Sequence, residues 1–320
     1  MSTDSHPLSS SSTLVPGGAL RLADWGVISA RGEEAAKFLH GQLTQDLVLQ
    51  STEQARLAGY CSAKGRLLAT LLAVKTGADE LLLALPAELL APTLKRLSMF
   101  VLRAKCKLAD ASAELAVWGL AGEAARAWLG EAAPAAVWGV TQRDGARVVR
   151  LPDGANALPR YLLLQGTAAA APDLPALDAA DWSWAEVEAG LAWVRQPTVE
   201  QFVPQMLNLE LLGGVNFQKG CYPGQEVVAR SQYRGTIKRR TFLFATEDAP
   251  APQVGQELFH SADPGQPAGL VAAAAQRGGR GLLLAEVKLA ALDEGSLHLG
   301  AADGPRLAPQ PMPYLVGEPQ

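Results

Sequence analysis

Cysteine is scarce in this chain: of 320 residues, only Cys61, Cys106 and Cys221 carry a thiol. They lie far apart and are odd in number, which fits a reducing compartment and not a disulfide framework. No Cys-x-x-Cys pair occurs, and the four histidines, His6, His40, His260 and His298, are scattered. A structural zinc site or a permanent cluster held by four cysteines is therefore not expected. Long apolar runs are missing too. Leu67–Val74 is short and contains Thr70, and Leu81–Ala91 is broken by Pro86 and Glu88, so nothing reaches the ~20 residues that span a bilayer. The opening MSTDSHPLSSSSTLVPGG has neither the basic start nor the apolar centre of a secretory signal; residues 1–18 read as a disordered lead-in. These absences point to a cytoplasmic protein without membrane contact. An excess of positive charge is also lacking. The net charge of −4 argues against stable capture of nucleic acid on a broad basic surface.

What is present is ordinary globular material, 48% hydrophobic and 19% charged. The length exceeds what one hydrophobic core usually supports, so two or three domains are expected. Trp25–Ala30 reads as a strand and RGEEAAKFLHGQL as an amphipathic helix with acidic residues at its start. RLAGYCSAKGRLLATLLAV reads as a hairpin turning at Ala63-Lys64-Gly65, followed by the buried strand LLLALP and the helix ELLAPTLKRLSMF. Pro92 is expected near the first turn of that helix, where a missing N–H is tolerated. From 108 to 165 the mixture repeats: AELAVWGLAG, ARVVRL and RYLLLQ as strands, EAARAWL as a helix. Residues 168–181 read as a linker, and a helix is expected around Trp184–Ala192. After Arg240 come short strands between Gly, Pro and Asp turns (TFLFAT, QELFH, AGLVAAAAQ, GLLLAEVKL, SLHLG), the pattern of a small barrel or sandwich.

The densest chemistry lies in NFQKGCYPGQEVVARSQYRG, residues 216–235. Tyr222-Pro223-Gly224-Gln225 matches a type II turn, with Pro and then Gly at its centre. GQEVVARSQYR beyond it has helical character. Cys221 would precede a helix N-terminus and sits two residues from Lys219, both of which favour thiolate over thiol. Spacing alone leaves open a nucleophile, a metal ligand or a small buried hydrophobe. Arg230, Arg234, Lys238, Arg239 and Arg240 place five cations in eleven residues. Such a run is a solvated face or an anchor for carboxylate or phosphate, and the acidic whole points to a small polyanion. Trp182 and Trp184 serve either the core or one lining face. Glu188 serves either a helix surface or the N–H donors of a ligand.

KGCYPGQEVVAR closely resembles the Lys-Gly-Cys-Tyr-x-Gly-Gln-Glu signature of the YgfZ family of folate-binding proteins. Relatives of that family include a mitochondrial iron–sulfur cluster assembly factor and, more distantly, the glycine cleavage T-protein, an aminomethyltransferase. FLHGQLTQDL, YCSAKGRLLATL, WAEVEAG, EQFVPQMLNLELLGGVNF, YRGTIKRR and the C-terminal PMPY extend the resemblance over nearly the whole chain. It implies an α+β fold: two related, partly interleaved α/β modules (19–107 and 108–235) and a C-terminal β-barrel (236–320), arranged around a central folate-binding hole. It implies tetrahydrofolate or a derivative as cofactor, with Trp25, Trp182, Glu188, Tyr222 and Arg234 at the folate, and Cys221 with Lys219 as the reacting pair. Aromatic stacking suits a flat pterin, a carboxylate its N–H edge, and a guanidinium its glutamate tail. The aspartate pair of T-protein relatives falls here on Ala69 and Thr70, which cannot do the work of a carboxylate. The resemblance therefore implies a monomer that supports iron–sulfur synthesis or repair in client enzymes such as tRNA-modifying methylthiotransferases. The alternatives are a one-carbon transferase and a folate-sensing scaffold.

Overall fold

The computed structural model describes residues 15–233 and 237–317. Along the chain come β1 (Gly18–Arg21), β2 (Trp25–Arg31), α1 (Ala35–His40), β3 (Arg56–Cys61), β4 (Leu67–Gly77), β5 (Glu80–Pro86), α2 (Ala87–Met99) and β6 (Lys107–Asp110). Next are β7 (Leu115–Ala121), α3 (Gly122–Leu129), β8 (Val140–Arg143), β9 (Ala146–Gly154), β10 (Leu158–Gly166) and α4 (Ala179–Glu188). The last stretch holds α5 (Gln225–Tyr233), β11 (Arg239–Thr246), β12 (Glu257–His260), β13 (Asp263–Arg277), β14 (Arg280–Lys288), β15 (Leu297–Leu299) and β16 (Ala308–Gln310). Strands dominate this mixed α/β architecture.

Three sheets form. The first has the order β3-β4-β5-β2-β6, the second β1-β7-β10-β9-β8, and the third β15-β12-β13-β14-β11-β16. In the first sheet β2, β4 and β5 are near-continuous runs of buried residues, because elements cover both faces and leave no side for polar alternation. One sheet curls into a half-barrel, and β15 and β16 are the edge strands of the third sheet. β1 crosses over from the start of the chain to pair with β7 in the second sheet, Gly18 opposite Ala121.

Helix positions depart from the sequence expectation in three places. α1 is only Ala35–His40, a single short helix ending at Gly41. α2 begins at Ala87, directly after β5, so Pro92 lies in its interior and not in its first turn. α4 starts at Ala179 and ends at Glu188, earlier than expected, because Gly190 adopts φ +69 and turns the chain away. The expected linker thus ends at its C-terminal side in helix.

Buried polar contacts tie the third sheet to the rest. Arg240, 3% exposed, donates from Nη1 to Glu210 Oε1 at 2.7 Å and to Asn208 Oδ1 at 3.0 Å. Asn208 donates in turn to the Thr241 carbonyl at 2.8 Å. Tyr314 donates to the Gly190 carbonyl at 2.8 Å, and Arg277 pairs with Asp181 of α4 at 2.7 Å. Burial pushes the Glu210 carboxyl up, although Arg240 pulls it back. Removing Arg240 strands that carboxylate without a partner, which costs about 3–5 kcal/mol. Arg240→Met is therefore expected to destabilise the protein strongly at neutral pH. A group raised in the native state is best tolerated protonated, so the deficit should shrink as pH falls through the raised pKa of Glu210. Chemical denaturation of both proteins between pH 7 and pH 5 measures it.

Candidate functional site

The loop before α5 is strapped to the segment between α1 and β3. Asn216 N–H donates to the Thr44 carbonyl at 2.9 Å, and Thr44 Oγ1 donates to the Gly214 carbonyl at 2.6 Å. Beyond it, Gln225 N–H donates to the Tyr222 carbonyl at 3.2 Å and Gly224 has φ +78, the geometry of the expected type II turn. This turn docks on the β3–β4 hairpin. A Cβ on Gly224 would stand 2.4 Å from the Ser62 carbonyl oxygen, and one on Gly65 would stand 2.7 Å from Val227 Cβ. Two glycines thus permit a backbone-to-backbone approach that no other residue pair allows.

Lys219 is 8% exposed. Its ammonium donates to the carbonyls of His40 and Leu43, the latter at 3.0 Å, at the C-terminal end of α1. It thereby satisfies acceptors that a helix end leaves open. The same ammonium lies 4.7 Å from the centroid of the Tyr222 ring, a cation–π contact. Burial lowers the lysine to about 8, against the pull of Asp46 and Cys221. Hydrogen bonds to carbonyls favour the charged form and also oppose that shift.

Cys221 is exposed, whereas Cys61 is buried and Cys106 half-buried. Burial pushes the Cys61 thiol up to about 12, and the Cys106 thiol up as well. Cys221 is thus the most exposed thiol of the three. Tyr222 packs inward with its hydroxyl pushed up by burial and by Cys61. Two residues that sequence reasoning did not single out stand beside the loop. His40 Nδ1 contacts Asp46 Oδ1 at 3.1 Å, and that oxygen also accepts the N–H groups of Val48 and Leu49, each at 3.0 Å. Burial opposes ionisation of Asp46, but these donors outweigh it and hold the carboxyl low. A Cβ on Gly220 would stand 3.4 Å from His40 Nε2. Both residues lie within FLHGQLTQDL, so the motif itself held the signal. Among the described residues, no three His, Cys, Asp or Glu side chains converge as a metal site.

A cleft of about 340 Å³ lies elsewhere, between α2, α4 and β13 of the third sheet. α2 contributes Glu88, α4 contributes Glu186, the following segment Trp193 and Arg195, and β13 contributes Ala272–Ala274. Glu186 accepts from Trp193 Nε1 at 3.0 Å and pairs with the fully buried Arg160 at 3.4 Å. Burial pushes its carboxyl up, against Arg160 and Arg195. Trp25 stands edge-on to Trp193 with ring centroids 4.8 Å apart, and Arg195 pairs with Asp24 at 2.9 Å.

The residues expected at a ligand are therefore dispersed. Trp25 reaches the cleft through Trp193. Trp182 does not line it: its ring packs on Gly119, where a Cβ would stand 2.8 Å away, and under the Arg160 guanidinium at 4.6 Å. Glu188 accepts from Trp184 Nε1 at 2.7 Å and is likewise absent from the cleft wall. Tyr222, Lys219 and Cys221 form their own cluster, and Arg234 falls outside the described residues. Ala69 and Thr70 are fully buried, and the Thr70 hydroxyl accepts the Val194 N–H at 2.8 Å.

No family model matches the chain. Over 95% of its length it superimposes on 87% of the glycine cleavage system aminomethyltransferase T from Bartonella henselae, at TM-score 0.75 and 17% identity. The chain has the aminomethyltransferase fold. A heterotetrameric sarcosine oxidase from Corynebacterium sp. U-96 matches 46% of this chain and 74% of its own at 19% identity, but its TM-score of 0.32 carries no argument. Within the aminomethyltransferase fold, the hairpin turn that seats Gly224 and the cleft beside α4 are held by separate parts of the chain.

The seating of this loop is testable through two variants. Gly224→Ala forces a side chain into a positive-φ position and against backbone, and should cost about 2 kcal/mol or more. For Lys219, the unfolded chain has an ordinary lysine near 10.5 and the native one about 8. The unfolded state binds more protons across that window, so the lysine makes stability rise with pH between those values. Stability measured from pH 7 to 10.5 should rise in the wild type relative to Lys219→Met; parallel curves would contradict the placement.

Proposed function

We propose that the protein binds a reduced folate in the cleft between α2, α4 and β13 and uses Cys221 as a working thiol in the upkeep of iron–sulfur client enzymes. The observation that carries the ligand half is a largely buried carboxylate, Glu186, bracketed by the Trp193 indole and a guanidinium between α2, α4 and β13. A carboxylate accepts the paired N–H donors of a pterin edge, and the Trp193–Trp25 pair offers aromatic walls. Glu186 takes here the role expected of Glu188, with Trp25 as a supporting wall; Trp182 buttresses from behind through Arg160. Tyr222 is proposed to act beside the thiol, against Lys219, and Arg234 as a partner for the folate's glutamate tail.

Aminomethyl transfer fits poorly. The places of the aspartate pair hold a methyl and a hydroxyl already committed to Val194 N–H, and neither can manage the charge of an amine. Cys221 supports the thiol half by its exposure beside a buried lysine, with a persulfide, an oxidised thiol or a cluster as its transient partner.

Titration with 5-formyltetrahydrofolate, followed by tryptophan fluorescence, tests the ligand half. Wild type should quench, and Glu186→Gln should bind at least ten-fold more weakly, while Glu188→Gln stays within two-fold. Circular dichroism first verifies that Glu186→Gln folds, since Arg160 loses its counter-charge. Binding should weaken on acidification, because protonation removes the acceptor and the raised Glu186 carboxyl protonates early. Absence of quenching in the wild type sinks the folate reading. For the thiol half, Cys221→Ala should fail to restore client activity in cells that lack the protein; full rescue removes the thiol from the mechanism.

A further inference from the structure

Residues alternate along the turn that follows Trp193. Arg195 and Pro197 face the cleft, whereas Gln196 and Val199 face a second cavity of about 300 Å³. This cavity is walled by Tyr60 of β3, Leu68 of β4 and one side of α2 from Leu89 to Met99. It shares no lining residue with the cleft.

Its chemistry is one-sided. Leu68, Leu89, Pro92, Met99 and Val199 give an apolar wall, and no carboxylate lines it. Lys95 and Arg96 bring two positive charges, and neither makes an ion pair among the described residues. Tyr60 is only 1% exposed and its hydroxyl lies against the Arg96 guanidinium, which opposes the upward push of burial, while the buried Nε of Arg96 has no hydrogen-bond partner. Buried polar groups are almost always satisfied, and each one left open costs about 1–3 kcal/mol. An open guanidinium donor beside a phenol that accepts from the same side chain and keeps its own proton to donate calls for an acceptor at this wall. An anionic acceptor also answers the unpaired charges. The apolar wall then calls for a body that water cannot supply, and the volume falls at the lower end of the range for small-molecule pockets.

We propose that this cavity binds a small organic acid with an apolar body, its carboxylate held by Arg96, Lys95 and the Tyr60 hydroxyl. A planar carboxylate matches the guanidinium fork, and the acyl or aryl part lies along Leu68, Leu89 and Val199. Met99 is 57% exposed and Phe100 46%, so an apolar surface adjoins the mouth at the C-terminal end of α2. The site is separate from the one proposed for folate.

Isothermal titration calorimetry with 4-phenylbutyrate, and with its uncharged counterpart 4-phenylbutanol, tests this. The carboxylate should bind the wild type at least ten-fold more tightly than the alcohol. Arg96→Gln should abolish that preference, and Tyr60→Phe should weaken the carboxylate about five-fold in a protein that still folds. Glu186→Gln should leave carboxylate binding unchanged, which separates this site from the cleft. Equal binding of acid and alcohol, or a preference that survives Arg96→Gln, overturns the proposal. Unchanged carboxylate affinity in Tyr60→Phe overturns the role given to its hydroxyl.

Discussion

An ammonium group seated on two main-chain carbonyls decides where the reactive end of this protein stands. Lys219 reaches from the loop before α5 to the end of α1, and its Nζ occupies acceptors that the short helix leaves open. A buried lysine is costly, and burial has lowered this one to about 8. That cost is offset by two carbonyl bonds, the Tyr222 ring and nearby Asp46. The consequence is positional. With Lys219 inside and Tyr222 packed inward, Cys221 is left on the outside. The glycine contact between the 222–225 turn and the β3–β4 hairpin holds the other end of the same loop.

The cleft has a different origin, the space left between α2, α4 and β13 of the third sheet. α4 supplies Glu186 to it and the turn after Gly190 supplies Trp193 and Arg195. The fold is that of an aminomethyltransferase, and on β4 the Thr70 hydroxyl caps the Val194 N–H. That hydrogen bond brings the 190s segment against β4.

Much of the scaffold was legible in sequence. β2, β4 and β5 are apolar runs too continuous for a half-exposed sheet, and the Tyr-Pro-Gly-Gln turn announced itself through Pro223 and Gly224. Other features were invisible for a physical reason. Lys219 finds its acceptors 176 and 179 residues away, and a main-chain carbonyl leaves no mark in a sequence. β1 joins the second sheet through pairing with β7, a long-range choice that local propensity does not encode. Glu186 and Glu188 look interchangeable in a row of letters. Two residues apart on a helix, they lie about 200° around the axis, so only the packing of α4 decides which one meets the cleft. Its start at Ala179 and its end before Gly190 determine that facing.

By burying its own ammonium, Lys219 presents Cys221 as the most exposed thiol of the chain. Timed alkylation of the native protein with iodoacetamide, read by peptide mass spectrometry, tests it most directly. Cys221 should be modified while Cys61 and Cys106 remain largely free, and Lys219→Met should slow Cys221 at least five-fold in a protein that still folds. Comparable labelling of Cys61 and Cys221 in the wild type, or an unchanged Cys221 rate in Lys219→Met, would contradict it.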